Sequence, residues 1–104
     1  MAFYENTIVA RQDLAEVDLK AIKEKYNDVI IQTSGKVLKI EEWGLLNFAY
    51  KIKNFNKGFY IHFKFQGNIS TINEFKKKIR TDDKILRHLV VRYKKLDLEK
   101  NYFK

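Results

Sequence analysis

The chain has no cysteine and no proline, and only four glycines, two histidines and one tryptophan among its 104 residues. Without cysteine, disulfides and thiolate metal sites are excluded. A metal held by His62 or His88 would need carboxylates supplied from elsewhere, so neither a metal nor any other cofactor is expected. The scarcity of glycine leaves no phosphate-cradling loop, and no Ser-His-Asp or paired-carboxylate arrangement stands out. No apolar run approaches the roughly 20 residues of a membrane span, and the start, Met-Ala-Phe-Tyr-Glu, lacks the basic region of a signal peptide. A cytosolic protein is expected, with no membrane and no small-molecule substrate among its partners. No Pro- or Ser-rich linker divides the chain, which reads as one domain over 1–95 and a short charged tail over 96–104.

What the chain does have is 45% hydrophobic and 14% aromatic residues, which support a folded core over disorder. Its net charge of +8 is unevenly placed. Residues 1–50 hold six Lys or Arg against eight Asp or Glu, whereas residues 51–104 hold fifteen against five. A concentrated basic half is what phosphates reward through counterion release, so nucleic acid becomes a candidate partner. A merely lysine-rich protein has the same composition.

Phe3 to Ala10 alternates as a strand, with Tyr4, Ile8 and Ala10 on one face and Phe3, Glu5, Thr7 and Val9 on the other; Asn6 interrupts the first. Asp13 with Glu16 has the spacing of an N-terminal capping pair, and Asp18 marks an alternative, later start. Leu19, Ile22, Tyr26, Val29 and Ile30 recur at helical spacing, with Gly35 placed to end the helix. Val37 to Ile52 reads as a strand bent at Gly44, since a glycine inside a strand marks a bulge or bend. Asn54 to Gly58 has turn composition, and Phe59, Ile61, Phe63 and Phe65 alternate in a third strand. Ile69, Ile72, Phe75 and Ile79 form a second helix, capped by Asn68 or Ser70. Ile85 to Tyr93 is the fourth strand. The order β-α-β-β-α-β predicts an α+β, ferredoxin-like split βαβ sandwich with two helices on one face of a four-stranded antiparallel sheet. Such a fold hosts enzymes, metal carriers and RNA binders alike.

Alternation puts His62 on the solvent face of its strand, and His88 with Val90 on the helix side near a core margin. Acylphosphatases share this element order and bind phosphate in a glycine-containing loop after the first strand; here that loop, Ala10-Arg11-Gln12-Asp13, has an arginine but no glycine. Lys57-Gly58-Phe59-Tyr60-Ile61-His62-Phe63-Lys64 begins like the octapeptide of the RNA-recognition motif, but Ile61 and Lys64 stand where that motif needs aromatics. Lys76, Lys77, Lys78 and Arg80 read as a solvated helix face. Arg87 falls on a sheet face with Leu89, Val91 and Tyr93, beside Phe3, Thr7, Val9, Tyr60 and His62. Mixed apolar and basic groups there suggest a binding surface.

Four stretches resemble the bacterial-type small-subunit ribosomal protein six family, in the right order. Phe3-Tyr4-Glu5 matches its opening, and Trp43-Gly44 with Phe48-Ala49-Tyr50 its central W-G-x-x-x-L-A-Y signature. Gly58-Phe59-Tyr60 matches the third-strand start, and Asp83 to Arg92 its fourth strand. Val9 to Asp13 is similar to alphaproteobacterial members. Leu45, Leu46 and Asn47 stand where many members are basic, and Lys51 replaces a frequent proline. The resemblance implies a non-catalytic component of a bacterial or organellar small ribosomal subunit. It implies binding to the central domain of small-subunit ribosomal RNA together with ribosomal protein eighteen. On that basis Arg87, Arg92, Lys94, Lys53 and Lys57 are expected to meet RNA, and Phe3, Tyr60, Leu89, Val91 and Tyr93 the partner protein. The alternative is a stand-alone ferredoxin-like module that handles phosphate or a small ligand.

Overall fold

A computed structural model describes residues 2–93 of the chain. Strand β1 (Ala2–Arg11) leads into helix α1 (Glu16–Gln32), strands β2 (Lys36–Ile52) and β3 (Phe55–Gly67), helix α2 (Ile69–Arg80) and strand β4 (Ile85–Tyr93). The strands form one antiparallel sheet in the order β2-β3-β1-β4, the expected ferredoxin-like arrangement. The expected tail over 96–104 lies outside the described residues.

Alternation along the two central strands sends Tyr4, Ile8, Ala10, Ile61, Phe63 and Phe65 toward the helices. There they meet Ile22, Tyr26, Val29 and Ile30 of α1 and Ile72 and Phe75 of α2 in one buried cluster. The Phe75 ring stacks on Tyr26 and on Phe65 at centroid distances of 5.3 and 5.5 Å, so α2 is keyed to both α1 and the sheet.

The helix ends differ in part from expectation. Helix α1 starts from Ala15, whose N–H donates to the Asp18 carboxylate at 3.1 Å; Asp13 instead pairs with Arg11. Thus Asp18 satisfies the orphan donor, the later of the two expected starts. At its C-terminus the left-handed residue is Ser34 (φ 66°), not Gly35. Gly35 is needed for space, because a Cβ there would lie 2.7 Å from the Gln66 carbonyl oxygen. Asn68 caps α2, its Oδ1 accepting from the Thr71 N–H at 3.2 Å. Its amide Nδ2 also donates to the Thr33 carbonyl at 3.2 Å, which ties the end of α1 to the start of α2.

The β2–β3 hairpin turns at Lys53 and Asn54, both at positive φ (49° and 70°), with Ile52 facing Phe55. The tight tip therefore comes before the expected Asn54–Gly58 turn. Gly58 is a strand residue instead, and a Cβ there would come within 2.6 Å of Val9 and 2.7 Å of Phe48. The bend expected at Gly44 is present. The register with β3 shifts between Glu42 and Gly44, and Gly44 has φ +83°.

No atom lies within 4 Å of where a Gly44 Cβ would stand, so a substitution there is opposed by backbone strain alone. Gly44→Val is expected to lower unfolding stability by about 1–3 kcal/mol. Gly44→Asn should lose clearly less, because asparagine tolerates this conformation. Denaturant unfolding of both variants checks this; equal losses would show that the side chain, not φ, is what the site resists.

Candidate interaction surface

The sheet face turned away from the helices is built from alternate residues of all four strands. Strand β1 contributes Phe3, Glu5, Thr7 and Val9; opposite them on β3 stand Gln66, Lys64, His62 and Tyr60. On β4, Val91, Leu89 and Arg87 face Glu5, Thr7 and Val9. Strand β2 adds Glu41, opposite His62, and Trp43, the extra residue at the bend.

At the centre of this face Lys64 has no exposed surface, and its ammonium lies 3.3 Å from Glu41 and 4.0 Å from Glu5. Glu5 is also 3.0 Å from His62 Nε2, and His62 Nδ1 is 2.7 Å from the Thr7 hydroxyl. An ionised carboxylate can only accept, so Nε2 carries the proton toward Glu5, and in the neutral ring the Thr7 hydroxyl donates to Nδ1. The Trp43 ring lies on His62 at 4.7 Å and 15°, with its indole N–H donating to Glu41 at 3.4 Å. The expectation that His62 faces solvent is therefore corrected. It is on the expected face but only 5% exposed, held by Glu5 and Thr7 beneath the indole. Burying an ammonium needs opposite charge at close range, and two carboxylates supply it. This cluster was missed at the level of sequence, although the alternation that places Glu5, His62 and Lys64 on one face was its signal.

Toward β4 the same face turns apolar and basic. Leu89 is 61% exposed, Val91 is half-buried, and Arg87 is exposed beside them. A cavity of about 340 Å³ opens there, with Thr7, Val9, Trp43, Tyr60, Arg87 and Leu89 in its wall. Tyr60 is half-buried between the rings of Trp43 and Phe48, each 6.3 Å away. Phe3 is half-buried at the far end, opposite Tyr93, the last residue of β4. The structure thus brings together Arg87, Leu89, Val91, Tyr60 and Phe3.

The remaining expected residues are placed elsewhere. Arg92 pairs with Tyr4 and so points to the helix side, five positions from Arg87 and of opposite parity. Lys53 is at the hairpin tip and Lys57 is exposed on β3 opposite Asn47. Lys94 and the Tyr93 side chain lie outside the described residues. At the end of β1, Arg11 makes a two-pronged contact with Asp13, at 2.7 and 3.1 Å, so its guanidinium is occupied by a neighbouring carboxylate.

His88 takes its expected place, opposite Ile8 and half-buried at the core margin. Burial, and then the nearby Lys76 ammonium, hold its imidazole below the ordinary value of 6.5. Because the folded state prefers the neutral ring, this group leaves stability unchanged above the unfolded value. Stability falls as pH drops from there through the lower folded value.

Two predictions follow from these surroundings. Lys64→Ala, which strands Glu5 and Glu41 in a buried site, should cost about 3–5 kcal/mol, whereas Lys64→Ala with Glu5→Gln and Glu41→Gln should recover part of it. His88→Gln should reduce the loss of stability expected in the parent as pH falls below the ordinary histidine value of about 6.5. Chemical unfolding across pH measures both, and an unchanged pH slope would remove the account of His88.

Comparison with known proteins places the whole described chain in one context. The family model described as Ribosomal protein S6 matches residues 3–92. The Small ribosomal subunit protein bS6 of Pelagibacter ubique is 44% identical over 103 residues, covering 99% of this chain and 85% of its own length. That of Geotalea daltonii is 35% identical over 95 residues, covering 91% of this chain and 74% of its own. The crystal structure of 30S ribosomal protein S6 from Thermotoga maritima superposes with a TM-score of 0.84 at 27% identity, covering 88% of this chain and 87% of that one.

Proposed function

This chain belongs to the Ribosomal protein S6 family, a non-enzymatic family of the small ribosomal subunit, and we propose that it binds the central domain of small-subunit ribosomal RNA together with ribosomal protein eighteen. Its place is on the ribosome, in the bacterial cytoplasm. The observation that carries this reading is the composition of the outer sheet face at β4: exposed Leu89 and half-buried Val91 beside the exposed guanidinium of Arg87. An apolar strip fits a protein partner, while a cation at its margin fits phosphate. Phe3 and Tyr60 extend the partner surface along the strands, Tyr93 is assigned to the same partner, and Arg87, Arg92, Lys94, Lys53 and Lys57 serve the RNA. The pairing of Arg11 with Asp13 argues against a phosphate-handling enzyme, since the loop's one cation is already occupied.

The division of labour on β4 gives separable outcomes. Leu89→Asp places its charge on a surface position, so the fold should persist, but docking of the partner would desolvate an unpaired carboxylate and should be lost. Arg87→Ala should keep the fold and weaken assembly by roughly 1–3 kcal/mol. For the parent, log affinity for the RNA–partner complex should fall linearly with log salt, by about 0.7–0.9 per phosphate contacted. Circular dichroism with partner and salt titrations decides. A Leu89→Asp variant that docks like the parent, or an affinity flat in salt, would contradict this assignment.

A further inference from the structure

The β2–β3 ribbon carries an aromatic ring that belongs neither to the buried core nor to the outer sheet face. After Asn47 pairs with Lys57, the next paired positions are Ile52 and Phe55, so the four residues Phe48 to Lys51 stand opposite the single residue Asn56. An excess of this kind forces the longer strand out of the ladder. The first ring of the bulge, Phe48, turns inward to Tyr60. The second, Tyr50, is 85% exposed, more than any other exposed large hydrophobic residue of the described chain. Holding a bare aromatic ring in water gains nothing for the fold, whereas Tyr4 and Tyr26 are both buried.

The charge around Tyr50 is of one sign. From Leu45 to Lys57 the ribbon carries Lys51, Lys53 and Lys57 and no Asp or Glu. None of these lysines forms an ion pair with another described residue, in contrast to Lys23, Lys25, Lys64, Lys78 and Lys84. The tip is tight, with Lys53 and Asn54 both in the left-handed region, so cations and ring project on a narrow two-stranded ribbon. A ring beside ammonium groups that no described carboxylate pairs matches a nucleotide, which offers a flat base for stacking and phosphates on either side. A base inside a duplex has both faces covered, so such a ring reaches only one that is unpaired.

We propose that the β2–β3 ribbon is an RNA-binding element in which Tyr50 stacks on an unpaired base while Lys51, Lys53 and Lys57 hold the flanking phosphates. This rests on the RNA-binding role proposed above and adds to it a stacking residue and the kind of nucleotide it takes. An acidic protein would satisfy the lysines equally well, but it gives no reason for an exposed ring amid a cationic bulge.

The test is base-selective chemical probing of the RNA in small ribosomal subunits that lack their own copy and are reconstituted with the full chain. Four proteins are compared: the parent, Tyr50→Phe, Tyr50→Ala, and the triple variant Lys51→Ala, Lys53→Ala, Lys57→Ala. The expected result is an unpaired base protected by the parent and by Tyr50→Phe but reactive with Tyr50→Ala, with about tenfold weaker incorporation of that variant. The triple variant should incorporate more weakly and with a smaller salt dependence. If Tyr50→Ala protects the same bases and incorporates as the parent does, the stacking role is overturned while RNA binding stands on the remaining protections. If Tyr50→Ala incorporates weakly but no base changes reactivity, the ribbon meets a protein and the proposal falls. A parent that incorporates but protects no RNA overturns both this proposal and the RNA-binding role it rests on.

Discussion

An ammonium with no contact to water must be surrounded by opposite charge, and the position of Lys64 imposes this condition on three strands at once. Lys64 and His62 belong to β3, Glu5 to β1 and Glu41 to β2, so the cluster joins three neighbouring strands across the sheet. Slipping any of these strands by one residue would turn its member of the cluster to the helix side and leave the others buried without a counter-charge. The cluster therefore selects register, which an apolar core of interchangeable aliphatic side chains does less strictly. It also places Trp43 and Tyr60 side by side, since the indole lies on His62 and bonds to Glu41.

The two faces of the sheet are thereby given different tasks. On the helix side, Phe63, Phe65 and Phe75 with Ile8 and Ile30 form a core with no exposed surface, which supplies stability. On the other side, a charged centre passes into an apolar and basic margin at β4, where Leu89 and Arg87 are exposed. A rigid sheet lets such a margin meet a partner with little reorganisation. The β2–β3 ribbon extends beyond this sheet and carries cations of its own, so two separate elements present positive charge.

Much of the architecture was legible because strand alternation and helical spacing are strong in this chain. Phe59 to Phe65 and Leu19 to Ile30 needed little more than their periods, and the bend at Gly44 followed from a glycine inside a strand. The hairpin tip was not legible. Asn54 to Gly58 has the composition of a turn, yet Gly58 lies in β3, where only a glycine leaves room for Val9 and Phe48, and a lysine takes positive φ at the tip. In the same way Gly35 stands beside the left-handed residue and not at it. Alternation gave the face of His62 correctly and its burial wrongly, because burial depends on Glu5, Thr7 and Trp43, which lie far away in sequence. Arg87 was legible as a surface cation, and the same alternation sets Arg92 on the opposite face, where its pairing with Tyr4 puts it.

The central claim is that this sheet and its ribbon exist to join a small ribosomal subunit. Sedimentation of a lysate containing the tagged full-length chain through a sucrose gradient tests it most directly. The account predicts that the chain migrates with the small-subunit peak at moderate salt and is released toward the top as salt rises, as phosphate contacts require. A chain that stays at the top of the gradient at every salt concentration, while other small-subunit proteins sediment normally, would contradict it.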